Sequence, residues 1–133
     1  MHPEILFEDN HLIVITKKAG ELVQGDQTGD IPLAESVKAY LKKKYNKPGA
    51  AYLGVVHRLD RPTSGVVLFA KTSKALRRLN QQFQSRIPKK TYWAIVTKEF
   101  TDQKGTLSHW MTRNTKQNKS KAHIKEVPNS KLA

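Results

Sequence analysis

Short apolar runs separated by a polar turn begin the chain. Residues 5–8 and 12–15 are rich in β-prone side chains, and Asp9 and Asn10 between them favour a turn. The two runs therefore predict a β-hairpin. Residues 17–20 then break the apolar pattern.

Apolar residues at a spacing of three or four predict two helices. The stripe of the first helix, which follows the helix-starting residues Asp30 and Pro32, consists of Leu33, Val37, Leu41 and Tyr45. The second helix is predicted to begin at the N-cap Ser73 and to end at Pro88. Its apolar stripe consists of Leu76, Leu79, Phe83 and Ile87.

Further apolar runs predict strands in the middle and second half of the chain. Residues 52–56 and 66–70 look like buried strands, and they flank the polar segment 57–65. Residues 91–97 alternate between two kinds of side chain, as is typical of a strand with two distinct faces. Residues 107–111 are a weaker strand candidate.

The polar segment 57–65, with the sequence HRLDRPTSG, places one carboxylate between two predicted strands. Its proline, threonine, serine and glycine favour a tight turn, so Asp60 is expected in a loop. Arg58 and Arg61 flank Asp60 and should keep it ionised, which suits a nucleophile better than a general acid. On spacing alone, a turn-forming aspartate in a structural salt bridge explains the pattern equally well, and His57 alone fits a hydrogen-bonded structural role.

Positive charge is concentrated in the second half of the chain. The 133 residues carry 24 Lys and Arg against 11 Asp and Glu, a formal net charge of +13. Residues 1–60 hold equal numbers of basic and acidic side chains, so the whole excess lies in residues 61–133. Such a one-sided field attracts a polyanion, and nucleic acid is the expected partner. A soluble protein whose lysines merely face water would have the same composition.

Length and composition exclude several classes of protein. A chain of 133 residues without a repeat or a linker is expected to form one domain, over residues 1–133. It has no cysteine, which excludes disulfides and thiolate metal sites. Its beginning does not resemble a signal peptide, and no run approaches the ~18 apolar residues of a membrane span. A cytoplasmic protein without membrane association is therefore expected.

Three motifs resemble those of a known family. Residues 57–65 match the central motif of the RluA-type RNA pseudouridine synthases, which isomerise uridines in ribosomal and transfer RNA. Residues 5–20 resemble the opening motif of that family, although Lys18 stands where proline is usual, and residues 90–96 resemble its Lys-x-Tyr strand. The order of the motifs makes the resemblance specific over residues 4–98. It implies an α+β fold, with a mostly antiparallel mixed sheet and flanking helices.

The resemblance also implies roles for individual residues. Asp60 would be the catalytic carboxylate, acting at ribose C1′ or uracil C6 while the glycosidic bond breaks, the base rotates and a carbon–carbon bond forms. Arg58 would occupy the space left by the flipped uridine, and Tyr92 would stack on the uracil. The other RNA-binding candidates are Arg61, His57 and Lys90.

Two of these assignments have structural alternatives. Tyr92 could be a core tyrosine of an alternating strand, and Arg61 could support Asp60 instead of binding phosphate. No metal or organic cofactor is implied. The implied partner is structured RNA, either rRNA or tRNA.

One family motif is not found in the chain. The motif Gly-Arg-x-His-Gln-Ile-Arg, whose last arginine pairs with the catalytic aspartate, has no match in residues 99–133. We therefore expect a catalytic domain shortened at its C-terminus, and a non-catalytic RNA-binding module with the same fold is an alternative. A phosphotransferase is rejected because the chain lacks a glycine-rich phosphate loop. A glycoside hydrolase would need a second carboxylate, and none follows Asp60 until Glu99.

Overall fold

A computed structural model gives the fold for residues 3–26, 28–99, 103–117 and 119–133. Two units, Met1–Thr91 and Tyr92–Ala133, divide the chain. Each unit contains an antiparallel sheet, and both helices belong to the first unit. The predicted α+β class is therefore confirmed.

Four strands form the sheet of the first unit, in the order β1-β2-β4-β3. They are β1 (Glu4–Glu8), β2 (Leu12–Lys17), β3 (Gly54–Val55) and β4 (Gly65–Ala70). All neighbouring strands are antiparallel. The predicted hairpin is the β1-β2 pair, and the strand predicted at residues 66–70 is β4. The strand predicted at residues 52–56 is shorter than expected, because only two of its residues lie opposite a partner in β4.

One face of the sheet packs against the first helix, α1 (Leu33–Lys44). Alternation along the strands places Ile13 opposite Phe69 and Ile15 opposite Val67, and all four side chains are 0% exposed. The buried residues of α1 include Leu33, Val37 and Leu41. Full burial of each large aliphatic side chain stabilises the fold by about 1.5–3 kcal/mol.

The second helix, α2 (Ser73–Gln84), is capped one residue earlier than predicted. Thr72 is the N-cap, because its side-chain oxygen accepts a hydrogen bond from the Ala75 N–H at 3.1 Å. The helix ends before Pro88, and Ile87 lies outside it with an exposed fraction of 64%. No helix within the described residues has the length and apolar character needed to cross a membrane.

A close contact sets the position of α2 against strands β3 and β4. The Leu76 side chain lies over Gly54, and a Cβ on Gly54 would come within 2.9 Å of Leu76 Cδ2. Only a residue without a side chain allows the helix to approach β3 this closely.

Glu8, at the end of β1, connects α1 to the residue that follows β4 through hydrogen bonds to its carboxylate. The carboxylate accepts hydrogen bonds from Tyr45 Oη at 2.7 Å, Tyr40 Oη at 3.0 Å, Lys44 Nζ at 2.8 Å and Lys71 Nζ at 2.7 Å. Its side chain is only 7% exposed. Burial alone would raise the pKa of Glu8, but the four hydrogen bonds outweigh burial and lower the pKa to about 2. Tyr45, predicted in the apolar stripe, therefore has a polar role.

Three strands form the sheet of the second unit, in the order β6-β5-β7. They are β5 (Trp110–Asn114), β6 (Lys119–His123) and β7 (Lys131–Leu132). The strand predicted at residues 107–111 overlaps only the start of β5. The strand predicted at residues 91–97 is wrong, since these residues pair with no strand among the described residues. Trp93 and Ile95 in this segment are 98% and 105% exposed.

Candidate active site

Asp60 lies in the loop that connects β3 to β4, as predicted. The Asp60 carbonyl accepts a hydrogen bond from the Thr63 N–H at 3.0 Å, which closes a turn. Leu59 packs against the hydrophobic core, while Arg58 and Asp60 on either side of it are exposed. Gly65, where the loop enters β4, has a φ of +149°, and a Cβ there would lie 3.3 Å from Leu59 Cδ1. The core therefore anchors the loop and leaves the carboxylate in solvent.

A buried lysine at the end of β2 binds the backbone of this loop. Lys17 is 0% exposed. Its ammonium donates hydrogen bonds to four carbonyl oxygens, those of Asp60 at 3.1 Å, Arg61 at 3.1 Å, Thr63 at 2.6 Å and Lys18 at 3.2 Å. Three N–H protons are thus shared among four acceptors. Because an ammonium ion is costly to bury without partners, Lys17 and the loop carbonyls stabilise one another.

The pattern analysis missed Lys17, although the sequence contains the signal for it. The sequence analysis treats residues 17–20 only as a break in the apolar pattern. Strand alternation, however, places Lys17 on the same face as Ile13 and Ile15, which are both buried. A lysine on the buried face of a strand requires polar partners, and here the Asp60 loop provides them.

The electrostatics of the loop couple Lys17 to two carboxylates. Burial lowers the pKa of Lys17, and attraction to the Glu21 and Asp60 carboxylates opposes that effect. Among the described residues, none donates a hydrogen bond to the Asp60 carboxylate. The backbone of Asp60 is therefore fixed, while its carboxylate oxygens are available to a ligand.

The segment after β2 supports the other side of the loop. The Gly20 N–H donates to the Arg61 carbonyl at 2.8 Å, and Gly20 has a φ of +90°, a conformation that favours glycine. The Arg61 guanidinium pairs with Asp30 at 2.6 Å, with both side chains about half exposed. An exposed pair of this kind contributes about 0–1 kcal/mol. Arg61 is thus directed towards Asp30, and this geometry favours a role in supporting the loop.

His57, at the start of the loop, is held by β4 and α2. Its Nε2 accepts a hydrogen bond from the Leu68 N–H at 3.0 Å. Its ring stacks on Phe83 with a centroid distance of 5.1 Å, and Lys90 Nζ lies 5.5 Å from the Phe83 centroid. Burial, and then the charge of Lys90, lower the pKa of His57. A neutral imidazole with its proton on Nδ1 is therefore the form that this arrangement favours at neutral pH.

The structure brings five of the six predicted site residues into one unit. His57, Arg58, Asp60, Arg61 and Lys90 belong to the first unit, and Tyr92 is the first residue of the second. The Tyr92 side chain is 62% exposed, so it is not a core tyrosine in the described structure. Its stacking on uracil stays a prediction.

An antiparallel α+β unit that presents one aspartate on a braced loop fits the class of the RNA pseudouridine synthases. The family model for RNA pseudouridylate synthases matches residues 11–133, and the chain belongs to this family.

Relatives with this activity in their names are found among bacterial proteins. The chain is 38% identical over 96 residues to the ribosomal large subunit pseudouridine synthase C of Vibrio vulnificus, a match that covers 72% of this chain and 29% of the relative. It is 40% identical over 92 residues to the Escherichia coli K12 protein of the same name, covering 69% and 27% of the two chains. The Salmonella typhi protein of that name is 36% identical over 110 residues, covering 83% and 33%. The chain thus spans about a third or less of the length of these relatives.

A solved structure has a similar fold. The human RNA pseudouridylate synthase domain containing 4 matches with a TM-score of 0.76 and 22% sequence identity, over 97% of this chain and 50% of that chain. At this identity the similarity establishes the fold alone.

Proposed function

We propose that the protein is an RNA pseudouridine synthase, in which Asp60 is the catalytic carboxylate acting on uridine in structured rRNA or tRNA. The observation that carries this proposal is the Asp60 loop. Four backbone carbonyls in and beside the loop region bind the buried Lys17 ammonium, while the Asp60 carboxylate is exposed. A nucleophile held on a fixed backbone loses little freedom when the substrate binds.

The proposed reaction is an isomerisation. The Asp60 carboxylate adds to ribose C1′ or to uracil C6, and the bond between C1′ and N1 breaks. The uracil rotates, C5 bonds to C1′, and the bond to the Asp60 carboxylate breaks. The proton on C5 leaves and N1 gains a proton, so the free carboxylate is regenerated. Because substrate and product contain the same atoms, the reaction requires no co-substrate or electron carrier.

Access to uridine requires base flipping. A uridine stacked in folded RNA must leave the stack, at a cost of a few kcal/mol. Arg58 is exposed two residues before Asp60, where its guanidinium can replace the lost stacking and pair with phosphate. Tyr92 is proposed to stack on the extruded uracil.

The other predicted contacts have supporting roles in this proposal. His57 is held against Phe83 and the backbone of Leu68, so it defines the start of the loop. Lys90 lies on the Phe83 ring and supplies positive charge close to His57. Both residues therefore position the loop or attract phosphate, and neither is proposed to exchange a proton with the substrate.

The test is formation of pseudouridine in ribosomal RNA incubated with the protein. The isomerisation does not change the mass, so carbodiimide labelling followed by primer extension is suitable. We expect new stops at defined uridines, and no stops with heat-denatured protein. Salt-dependent RNA binding without any new stop would contradict the proposal and favour a non-catalytic RNA-binding module.

A further inference from the structure

The β5-β6 hairpin of the second unit has one face that combines an aromatic ring with lysines. Residues directly opposite each other in an antiparallel pair share a face, and the register pairs Trp110 with His123, Thr112 with Lys121 and Asn114 with Lys119. The Thr112 hydroxyl and His123 Nε2 are hydrogen-bonded at 3.0 Å, which agrees with their position on one face. Lys119 and Lys121 are exposed, and Trp110 is partly buried.

This hairpin lies in a stretch of the chain that has no carboxylate. Residues 103–125 contain six Lys and Arg and no Asp or Glu. No salt bridge involves Lys119 or Lys121 within the described residues. The two ammonium groups are therefore available to an anionic partner.

We infer that this face, defined by Trp110, Lys119 and Lys121 and here named the hairpin face, binds single-stranded RNA outside the Asp60 loop. The inference rests on the proposed function, which makes RNA the substrate. Lysines on one strand neutralise successive phosphates, and the indole offers a stacking surface to a base. Contacts to phosphates and to the face of a base do not distinguish one base from another. The hairpin face therefore increases the affinity for RNA and does not select the uridine that is modified.

An RNA strand fits this face better than an acidic protein segment. A protein partner would be bound by charge alone, whereas Trp110, on the same face as the lysines, provides an aromatic surface on which a base can stack. The positive charge extends along the hairpin without interruption, as a polyanion requires.

The test is the salt dependence of binding to a short labelled oligouridylate, measured by fluorescence anisotropy. Lys119→Gln/Lys121→Gln should lower affinity and reduce the slope of log affinity against log salt by about 1.4, since each phosphate of a single strand contributes about 0.7. The matched control is Lys42→Gln/Lys43→Gln, which removes the same charge from exposed residues of α1. It should leave the slope unchanged.

A second pair of variants tests the stacking surface. Trp110→Leu should lower affinity roughly 5-fold to 150-fold, and Trp110→Phe should lower it less, because phenylalanine keeps a stacking ring. Far-UV circular dichroism confirms that the variants are folded.

Three results with the variants would overturn the inference. These are an equal loss of slope in both lysine double variants, an unchanged slope in the hairpin variant, and equal affinities of Trp110→Leu and wild type. Competition by polyglutamate as strong as competition by RNA would also overturn it, in favour of an acidic protein partner. If pseudouridine forms while the hairpin variants bind normally, only the inference fails. If the wild type binds no RNA at all, the proposed function itself fails.

Discussion

Replacing Lys17 with methionine removes the ammonium ion that joins β2 to the Asp60 loop and keeps nearly the same side-chain length. The effect differs among the four carbonyls. Those of Asp60, Arg61 and Lys18 retain backbone partners, at Thr63 N, Gly20 N and Glu21 N. The Thr63 carbonyl accepts the shortest of the four hydrogen bonds, at 2.6 Å, and Lys17 is its one donor among the described residues. The substitution therefore leaves this carbonyl without a donor.

The size of the effect follows from these contacts. A hydrogen bond to a charged group contributes about 1.5–3 kcal/mol, and a buried carbonyl without a donor costs about 1–3 kcal/mol. Methionine avoids the cost of burying an ammonium ion, and this offsets part of the lost hydrogen bonding. We therefore expect a net decrease of about 2–4 kcal/mol in the free energy of unfolding. With a urea dependence of about 2 kcal/mol per molar, the middle of the usual range, the urea midpoint should fall by about 1–2 M.

Turnover should decrease by more than the fraction of unfolded Lys17→Met protein explains. A shift of the loop by about 1 Å is enough to reduce turnover by about 100-fold, even when the protein is folded. Urea unfolding followed by circular dichroism measures the first effect, and pseudouridine formation well below the unfolding midpoint measures the second. Lys18→Met, at an exposed neighbouring lysine, is the control and should change neither. Wild-type stability and turnover in Lys17→Met would refute the assignment of Lys17 as the residue that positions the loop.

Three further changes test other parts of the structure. The pKa of Glu8 falls from 4.5 to about 2 on folding. Its ionised form therefore stabilises the fold by roughly 3 kcal/mol above pH 4.5, and this stabilisation is lost as the pH falls towards 2. Glu8→Gln should make stability depend less on pH between 4.5 and 2, and an unchanged pH dependence in that range would contradict the assignment. Gly54→Val should lower the unfolding free energy by about 1–3 kcal/mol or more through overlap with Leu76, which a chemical unfolding curve measures. Because the Trp93 and Ile95 side chains are fully exposed, we expect the wild type to self-associate in sedimentation velocity and Trp93→Ser/Ile95→Ser to reduce this association. Equal association of the variant and the wild type would contradict this prediction.

Local patterns were sufficient for the parts of the fold that depend on neighbouring residues. The hairpin and β4 follow from short apolar, β-prone runs and the first helix from four-residue spacing, because the same side chains that define these patterns form the core. The position of Asp60 on a loop also follows from its sequence, since the turn residues beside it exclude a helix or a continuous strand.

Features that depend on distant partners could not be predicted in the same way. Residues 91–97 have the alternation of a strand, but pairing decides whether a strand forms, and these residues pair with no strand among the described residues. The partners of Lys17 lie more than forty positions along the chain, at Asp60, Arg61 and Thr63. Similarly, spacing does not reveal that the Arg61 guanidinium pairs with Asp30. Sequence motifs predict which residues form the site, and the structure shows which contacts hold the Asp60 loop.

The central claim is that the Asp60 carboxylate carries out the isomerisation. When C5 of uracil bonds to C1′, the hydrogen on C5 is released to water, so RNA containing uridine tritiated at C5 reports turnover directly. With protein in excess over RNA, wild type should release tritium. Asp60→Asn should release none above background while it binds the same RNA, because the substitution removes the nucleophile with little change in size. Asp26→Asn, an exposed aspartate in another loop, is the control and should resemble wild type. Tritium release by Asp60→Asn at the wild-type rate would contradict the account.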